Sequence, residues 1–417
     1  MEQSAALLLP QDVLADILAR LAPRDLVMAL VVCRAWRAVI NSRRPLRADL
    51  LPLSLGGFFV NFNSHKFSEY FSDPSTTATI SSMTGYVPHS TRYWRYVVGH
   101  CNGLLLLCDN CVVNPATRWW AEVPPASHTA PKTFYYRNYL VFDPTLSTHY
   151  EVFSIPHFYD DKDLGLTDQS EWPPSSCILH VFSSLTSRWE GTLFDRDGEA
   201  AATVLDMRKC MVEDSAVYYR RALYVHCQAN VVLSISLSSN KYRAIKPPSP
   251  SIKEVFALGK SKNGVYFASL GSTWDRALRI WVLDESCGQT EWLLKYHVDL
   301  EYVYNEISHL LPSGSWVLQD VNYNYHRNHF SNEKNETQMD NGDRAEEHDY
   351  HGPVSIMGFH PFEEVIFLCQ KMKRGLAYHL SSSKVQDLGH MYPRNYEYFA
   401  PVCEAILGYY PYTPCWM

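Results

Sequence analysis

The sequence predicts a small all-α module followed by a large all-β domain, the latter a degenerate β-propeller. Three observations predict this. Apolar residues at helical spacing are confined to the stretch LPQDVLADILARLAPRDLVMALVVCRAWRAVI, which ends at Ile40. After Leu50 that periodicity disappears, and short apolar or aromatic runs alternate with clusters of Gly, Asn, Asp, Ser and Pro. Finally, one pattern recurs: an apolar strand, a polar turn, and a second strand carrying an aromatic or apolar residue. The division is placed at residues 1–48 and 49–417.

In the first module Pro10 is suited to a first helical turn, where its missing N–H costs nothing. Val13, Leu14, Ile17, Leu18 and Leu21 then share one face at helical spacing. Pro23 breaks this helix, and Arg24 and Asp25 restart the chain. Leu26, Leu30 and Val31 continue the apolar pattern, and Val32, Cys33, Trp36, Val39 and Ile40 form a further stripe before Arg43 and Arg44. Three short helices in roughly forty residues are too few to sustain a core without a partner. The apolar face therefore calls for one, although the sequence does not separate internal core from outward contact.

The recurring hairpin is read at residues 112–124, 141–156, 181–194, 234–248, 281–298 and 378–390. Each hairpin buries one face and needs neighbours, which is the logic of propeller blades; a pair of β-sandwiches is the alternative. Neither a WD nor a paired-glycine signature repeats in series: Trp274-Asp275 and Gly56-Gly57 stand alone. The charged, apolar-poor stretch at residues 328–351 reads as a disordered insertion between strands.

Composition narrows the function. The 417 residues carry a net charge of -7 and no run of Lys or Arg longer than two, which argues against nucleic acid as a partner. No stretch of about 18 apolar residues occurs, and residues 1–9 lack a secretory pattern, so no membrane is expected as a partner. Eleven scattered Cys fit the reducing cytoplasm or nucleus.

Leu9-Pro10, Asp12-Val13-Leu14, Ile17-Leu18, Leu21-Ala22-Pro23, Asp25-Leu26, Val32-Cys33-Arg34 and Trp36-Arg37 together resemble the F-box, over about one tenth of the chain. The resemblance implies docking onto the Skp-type adaptor of a cullin-RING ubiquitin ligase. It carries over Leu9, Pro10, Leu14, Ile17, Leu18, Leu26, Val32, Cys33 and Trp36 as adaptor contacts or their immediate supports. Further on, His100-Cys101-Asn102-Gly103 followed by Leu104–Leu107, then Val113-Asn114-Pro115-Ala116-Thr117-Arg118-Trp119 and Val123-Pro124-Pro125, resembles the opening of the F-box-associated region of plant F-box proteins. That implies a kelch-like propeller acting as substrate receptor. In physical terms NPATRW is a turn: Asn114 and Pro115 nucleate it, Thr117 bonds back to the backbone, and Trp119 returns to the core.

Catalytic and metal signatures are weak. Cys108 and Cys111, with His100 and Cys101 upstream, have half-site zinc spacing, but Asp109-Asn110 reads as a hairpin turn flanked by ordinary cysteines. The pairs Asp160-Asp161, Glu346-Glu347 and Glu363-Glu364 read as solvated loop carboxylates, and no GxSxG, HExxH, P-loop or GxGxxG occurs. The expectation is a non-catalytic substrate-recognition subunit of an SCF-type ubiquitin ligase, without cofactor or metal, acting in protein degradation. A carbohydrate- or glycoprotein-binding receptor, and a propeller hydrolase with a helical extension, are the alternatives.

Overall fold

The computed structural model describes residues 9–21, 23–43, 54–77, 80–82, 86–87, 94–126, 134–158, 169–209, 215–227, 230–248, 255–271, 277–286, 290–309, 314–330, 354–400 and 404–416. Three helices come first: α1 (Gln11–Leu18), α2 (Pro23–Val32) and α3 (Arg34–Ser42). Pro10 caps α1 from outside rather than entering its first turn, and its carbonyl accepts from Leu14 N at 3.0 Å. Pro23 starts α2, where an absent N–H breaks no helical bond. Cys33 is extended, and its Sγ accepts from Trp36 N at 3.5 Å, so the Cys-x-x-Trp spacing is an N-cap for α3. Leu14, Leu18, Leu26, Ala29, Val39 and Ile40 close a core contributed by all three helices and, among the described residues, by nothing from the β region.

From Gly57 onward the described residues form six four-stranded antiparallel sheets. The first holds β1 (Gly57–Phe62), β2 (Glu69–Ser72), β21 (Val317–Leu318) and β26 (Ile406–Tyr412), in the order β21-β2-β1-β26. The second is the meander β3 (Val97–Cys101), β4 (Leu104–Leu107), β5 (Cys111–Asn114) and β6 (Trp119–Glu122). The third holds β7 (Phe134–Phe142), β8 (Tyr150–Phe158), β10 (Ser176–Ser183) and β11 (Arg188–Arg196), with a small excursion pairing β9 (Glu171–Trp172) to β12 (Ala202–Thr203). The fourth runs β13 (Ala216–Tyr219), β14 (Ala222–Cys227), β15 (Val231–Ser236), β16 (Lys241–Ile245). The fifth runs β17 (Val255–Ser261), β18 (Gly264–Leu270), β19 (Ala277–Asp284), β20 (Glu291–Asp299). The sixth runs β22 (Val354–Phe359), β23 (Val365–Gln370), β24 (Arg374–His379), β25 (Lys384–His390). A short parallel contact, Asp195 with Lys241 and Arg196 with Tyr242, joins the third and fourth sheets edge to edge into one eight-stranded sheet.

Strands β26, β3, β7, β13, β17 and β22 each pack on the next, and β22 packs on β26, so they close a ring. The sheets are therefore the blades of a six-bladed propeller, not two sandwiches. Apolar clusters fill the spaces between blades. Phe58, Val60 and Phe62 of β1 point toward the sixth blade and Phe59 toward the second, as the two-residue period of a strand dictates. Burial on both faces explains why inner strands read as unbroken apolar runs such as LLLL, whereas the outermost β6 and β11 are largely exposed.

Five of the six hairpins expected from the sequence are the outer pair of a blade, namely β5–β6, β10–β11, β15–β16, β19–β20 and β24–β25; the remaining one, β7–β8, is an inner pair. Four of the outer turns share one geometry, a four-residue turn whose last residue is left-handed: Arg118, Ser187, Asn240 and Ser383. Two details of the first of these turns differ from expectation. Asn114 Oδ1, rather than Thr117, makes the turn, accepting from Ala116 N at 3.1 Å and Thr117 N at 3.4 Å. Trp119 stays at the surface, 44% exposed, with its ring edge-on to Tyr150. The expected insertion begins inside a helix, Val321–Phe330, and from residue 331 to 351 lies outside the described residues.

Candidate functional sites: a helical apolar face and an axial cavity

The helical module sorts its apolar residues into two groups. Leu14, Leu18 and Leu26 are fully buried, so they support the module from inside. Val13 and Ile17, one turn apart on α1, are 44% and 43% exposed, and Met28 and Val32, one turn apart on α2, are 61% and 60% exposed. Leu9 and Pro10 are also exposed, while Cys33 and Trp36 are intermediate. Cys33 serves as the cap of α3, and Trp36 packs against the internal cluster. Val13 and Met28 are outward apolar residues outside the set of contacts carried over from the F-box resemblance. An i,i+4 pair exposing two apolar side chains on each of two helices is a surface that water does not favour.

The second site lies on the propeller axis. A cavity of about 480 Å³ is lined by all six inner strands. It opens where these strands begin, at the exposed side chains of Val98, Val255 and Leu407. Toward their ends a bond crosses the ring: Lys260 Nζ at the end of β17 donates to Asn102 Oδ1, just past β3, at 2.6 Å. The second and fifth blades stand opposite each other, so this bond spans the axis. Asn102 and Gly103 are both left-handed (φ 46° and 92°), forming the tight turn between β3 and β4. Asn102 Nδ2 donates to Phe142 O at 2.7 Å, and Cys101 Sγ to the same carbonyl at 3.3 Å. His100, Cys101 and Asn102 thus line the axial cavity, and Gly103 makes the turn beside it.

Its electrostatics follow from exclusion of bulk water. Desolvation pulls the Lys260 ammonium below the usual lysine range, opposed by Cys101 and Asp143. His100 is lowered to about 4, first by desolvation and then by Lys260, so its imidazole is neutral at neutral pH. Burial pushes the Cys101 thiol up to about 11, which leaves it a poor nucleophile. Asp143 is turned to other partners, accepting from Tyr218 Oη at 3.1 Å and Thr145 Oγ1 at 2.6 Å. Sequence reasoning missed Lys260 because a lysine in ALGKSKNG reads as the edge of a polar turn.

The other residues weighed in the sequence fall elsewhere. Cys108 and Cys111 flank the Asp109-Asn110 turn between β4 and β5, and Cys108 Sγ donates to Trp94 O at 3.3 Å. Glu364 is not a solvated carboxylate: it pairs with Lys295 Nζ and accepts from Tyr296 Oη at 2.9 Å, which ties the fifth blade to the sixth. Asp160-Asp161 and Glu346-Glu347 lie outside the described residues.

Residues 6–47 match the F-box-like family. The helical module with its exposed ridges is that match. The chain is also similar to two Arabidopsis thaliana proteins. It is 23% identical over 315 residues to F-box protein At5g07610, covering 70% of each chain. It is 28% identical over 172 residues to F-box protein At3g07870, covering 36% of this chain and 38% of that relative's own length. No described helix is long and apolar enough to cross a membrane.

Proposed function

We propose that this chain is the substrate-recognition subunit of an SCF-type cullin-RING ubiquitin ligase. Residues 1–48 are the adaptor-binding module, and residues 49–417 are a kelch-like, F-box-associated propeller that holds a target protein. The observation that carries the reading is the pair of exposed apolar ridges on a module that matches the F-box-like family and completes its own core. Leu9, Val13, Ile17, Met28 and Val32 are the contacts with the Skp-type adaptor, through which cullin and RING subunits join; Pro10, Cys33 and Trp36 set the geometry behind them.

In this reading no residue of the chain performs chemistry. Holding a target lysine near a charged ubiquitin-conjugating enzyme raises effective concentration, and the rate rises by proximity alone. Each apolar side chain fully buried on docking contributes about 1.5 to 3 kcal/mol, so a handful offsets an association cost of several kcal/mol. The working compartment is the cytoplasm or nucleus, where the ubiquitin machinery acts. The test is affinity purification of the full chain with the proteasome inhibited: Skp-type adaptor and cullin should co-purify, and their absence sinks the proposal.

A further inference from the structure

We propose that the axial cavity binds a carboxylate carried on a small apolar body, with Lys260 as its counter-ion. Lys260 has three donors and uses one, toward Asn102; among the described residues no carboxylate lies within ion-pair distance of it. An enclosed ammonium without an ion-pair partner is costly, and an anion entering the cavity would relieve that cost. The imidazole of His100 lines the same cavity, and among the described residues neither ring nitrogen is hydrogen-bonded. It can therefore donate to the second carboxylate oxygen.

The lining decides the rest of the ligand. Apolar residues make up most of the lining, with Met357 and Ile406 within it and Val98, Val255 and Leu407 at the opening, so an apolar body is accommodated beside the charge. One cation and one neutral imidazole match a single negative charge, whereas a phosphate dianion would find no second cation. Glu404 at the opening, accepting from Tyr392 Oη at 2.6 Å, further disfavours multiply charged anions. About 480 Å³ is within the range of cavities that enclose small organic molecules. The inference does not rest on adaptor docking, and failure of that reading leaves it standing.

The same carboxylate could arrive as a free small acid or as the end of a target polypeptide, and the test separates these. The full chain is titrated by calorimetry and ligand-observed NMR with 4-phenylbutyrate, hexanoate and octanoate, each beside its primary amide. A hexapeptide ending in two leucines is added as free acid and as C-terminal amide. At least one acid should bind at least tenfold tighter than its amide, and Lys260→Met should remove that preference. Lys260→Gln retains a donor for Asn102 while removing the charge, and it should do the same if Lys260→Met fails to fold by circular dichroism. Preference for the free-acid peptide assigns chain ends as the source; preference confined to the small acids assigns free ligands. If no acid is favoured over its amide, or if the preference survives loss of the charge, Lys260 is only a structural tie between blades and the proposal is overturned.

Discussion

Glu69 holds Asn322 twice, with Oε1 accepting from its backbone N at 3.0 Å and from its side-chain Nδ2 at 2.8 Å, while Oε2 accepts from Val321 N at 2.7 Å. A fully buried carboxylate on β2 thus caps the helix Val321–Phe330 from the first blade. Asn322 Oδ1 in turn accepts from Lys66 N and Phe67 N, at 2.9 and 3.0 Å. Glu69→Ala should strand these buried donors at a cost of about 2 to 4 kcal/mol, whereas Glu69→Gln keeps one acceptor and should cost less. Thermal unfolding of the two variants side by side checks the order; equal losses would contradict it.

Acid sensitivity follows from buried imidazoles. Burial lowers His65, His157 and His226 each to about 4. Each therefore contributes stability that is complete above the unfolded pKa of about 6.5 and is lost as pH falls toward 4, at up to about 1.4 kcal/mol per pH unit. Glu69 acts in the opposite sense. Burial raises it to about 7, so its contribution is complete below about 4.5 and is shed as pH rises through 7. The lowered histidines outnumber the carboxyls raised by burial, Glu69 and Glu151, and the urea midpoint should drop between pH 6.5 and 5. A midpoint that rises on acidification would refute this balance.

The exposed and buried halves of α1 give opposite phenotypes. Ile17→Asp changes a solvent-facing residue and should leave the module folded while abolishing co-purification of the adaptor; Arg20→Ala should bind normally. Leu18→Ala instead removes a buried side chain and should cost about 2 to 5 kcal/mol, seen as lost helical signal. Adaptor binding by Ile17→Asp at the wild-type level would move the docking face elsewhere.

Gly103 tolerates no side chain. Its φ is +92°, and a Cβ would lie 2.3 Å from Cys415 Cβ and 2.8 Å from backbone atoms of the closing segment. Gly103→Ala should destabilise by about 2 kcal/mol or more through backbone strain and displacement of residues 413–415. A melting temperature within 1 °C of wild type, read as about that tolerance, would show that the closing segment moves freely.

A chain beginning at residue 50 should keep the propeller, because among the described residues the helical core takes nothing from the β region. It should bind the target as the full chain does and protect it in cells from degradation. Target affinity more than about tenfold weaker, roughly 1.4 kcal/mol, would assign part of recognition to the helices.

The three N-terminal helices were legible because their period is local, yet Ile17 and Leu18 are sequence neighbours, and only packing divides exposed ridge from core. The outer hairpins were legible because a polar four-residue turn punctuates each. Inner strands such as β1, buried on both faces, show no alternation that would reveal their direction. The ring could not be read at all, since the pairing of Phe59 with Tyr410 depends on shape rather than on local pattern. Lys260 and Asn102 meet only because opposite blades face one axis.

The first blade is assembled from distant parts of the chain: Gly57 pairs with Tyr412 and Phe62 with Ile406, so β1 waits for β26 through the synthesis of five other blades. Until then β1 has one unpaired edge and two apolar faces, the profile of a strand that recruits other chains. Closing so long a loop is slow, because its entropy is spent before any contact rewards it. A nascent chain halted upstream of β26 would carry this exposed edge, and chaperones and degradation machinery would meet the protein as a client before it could serve as a receptor.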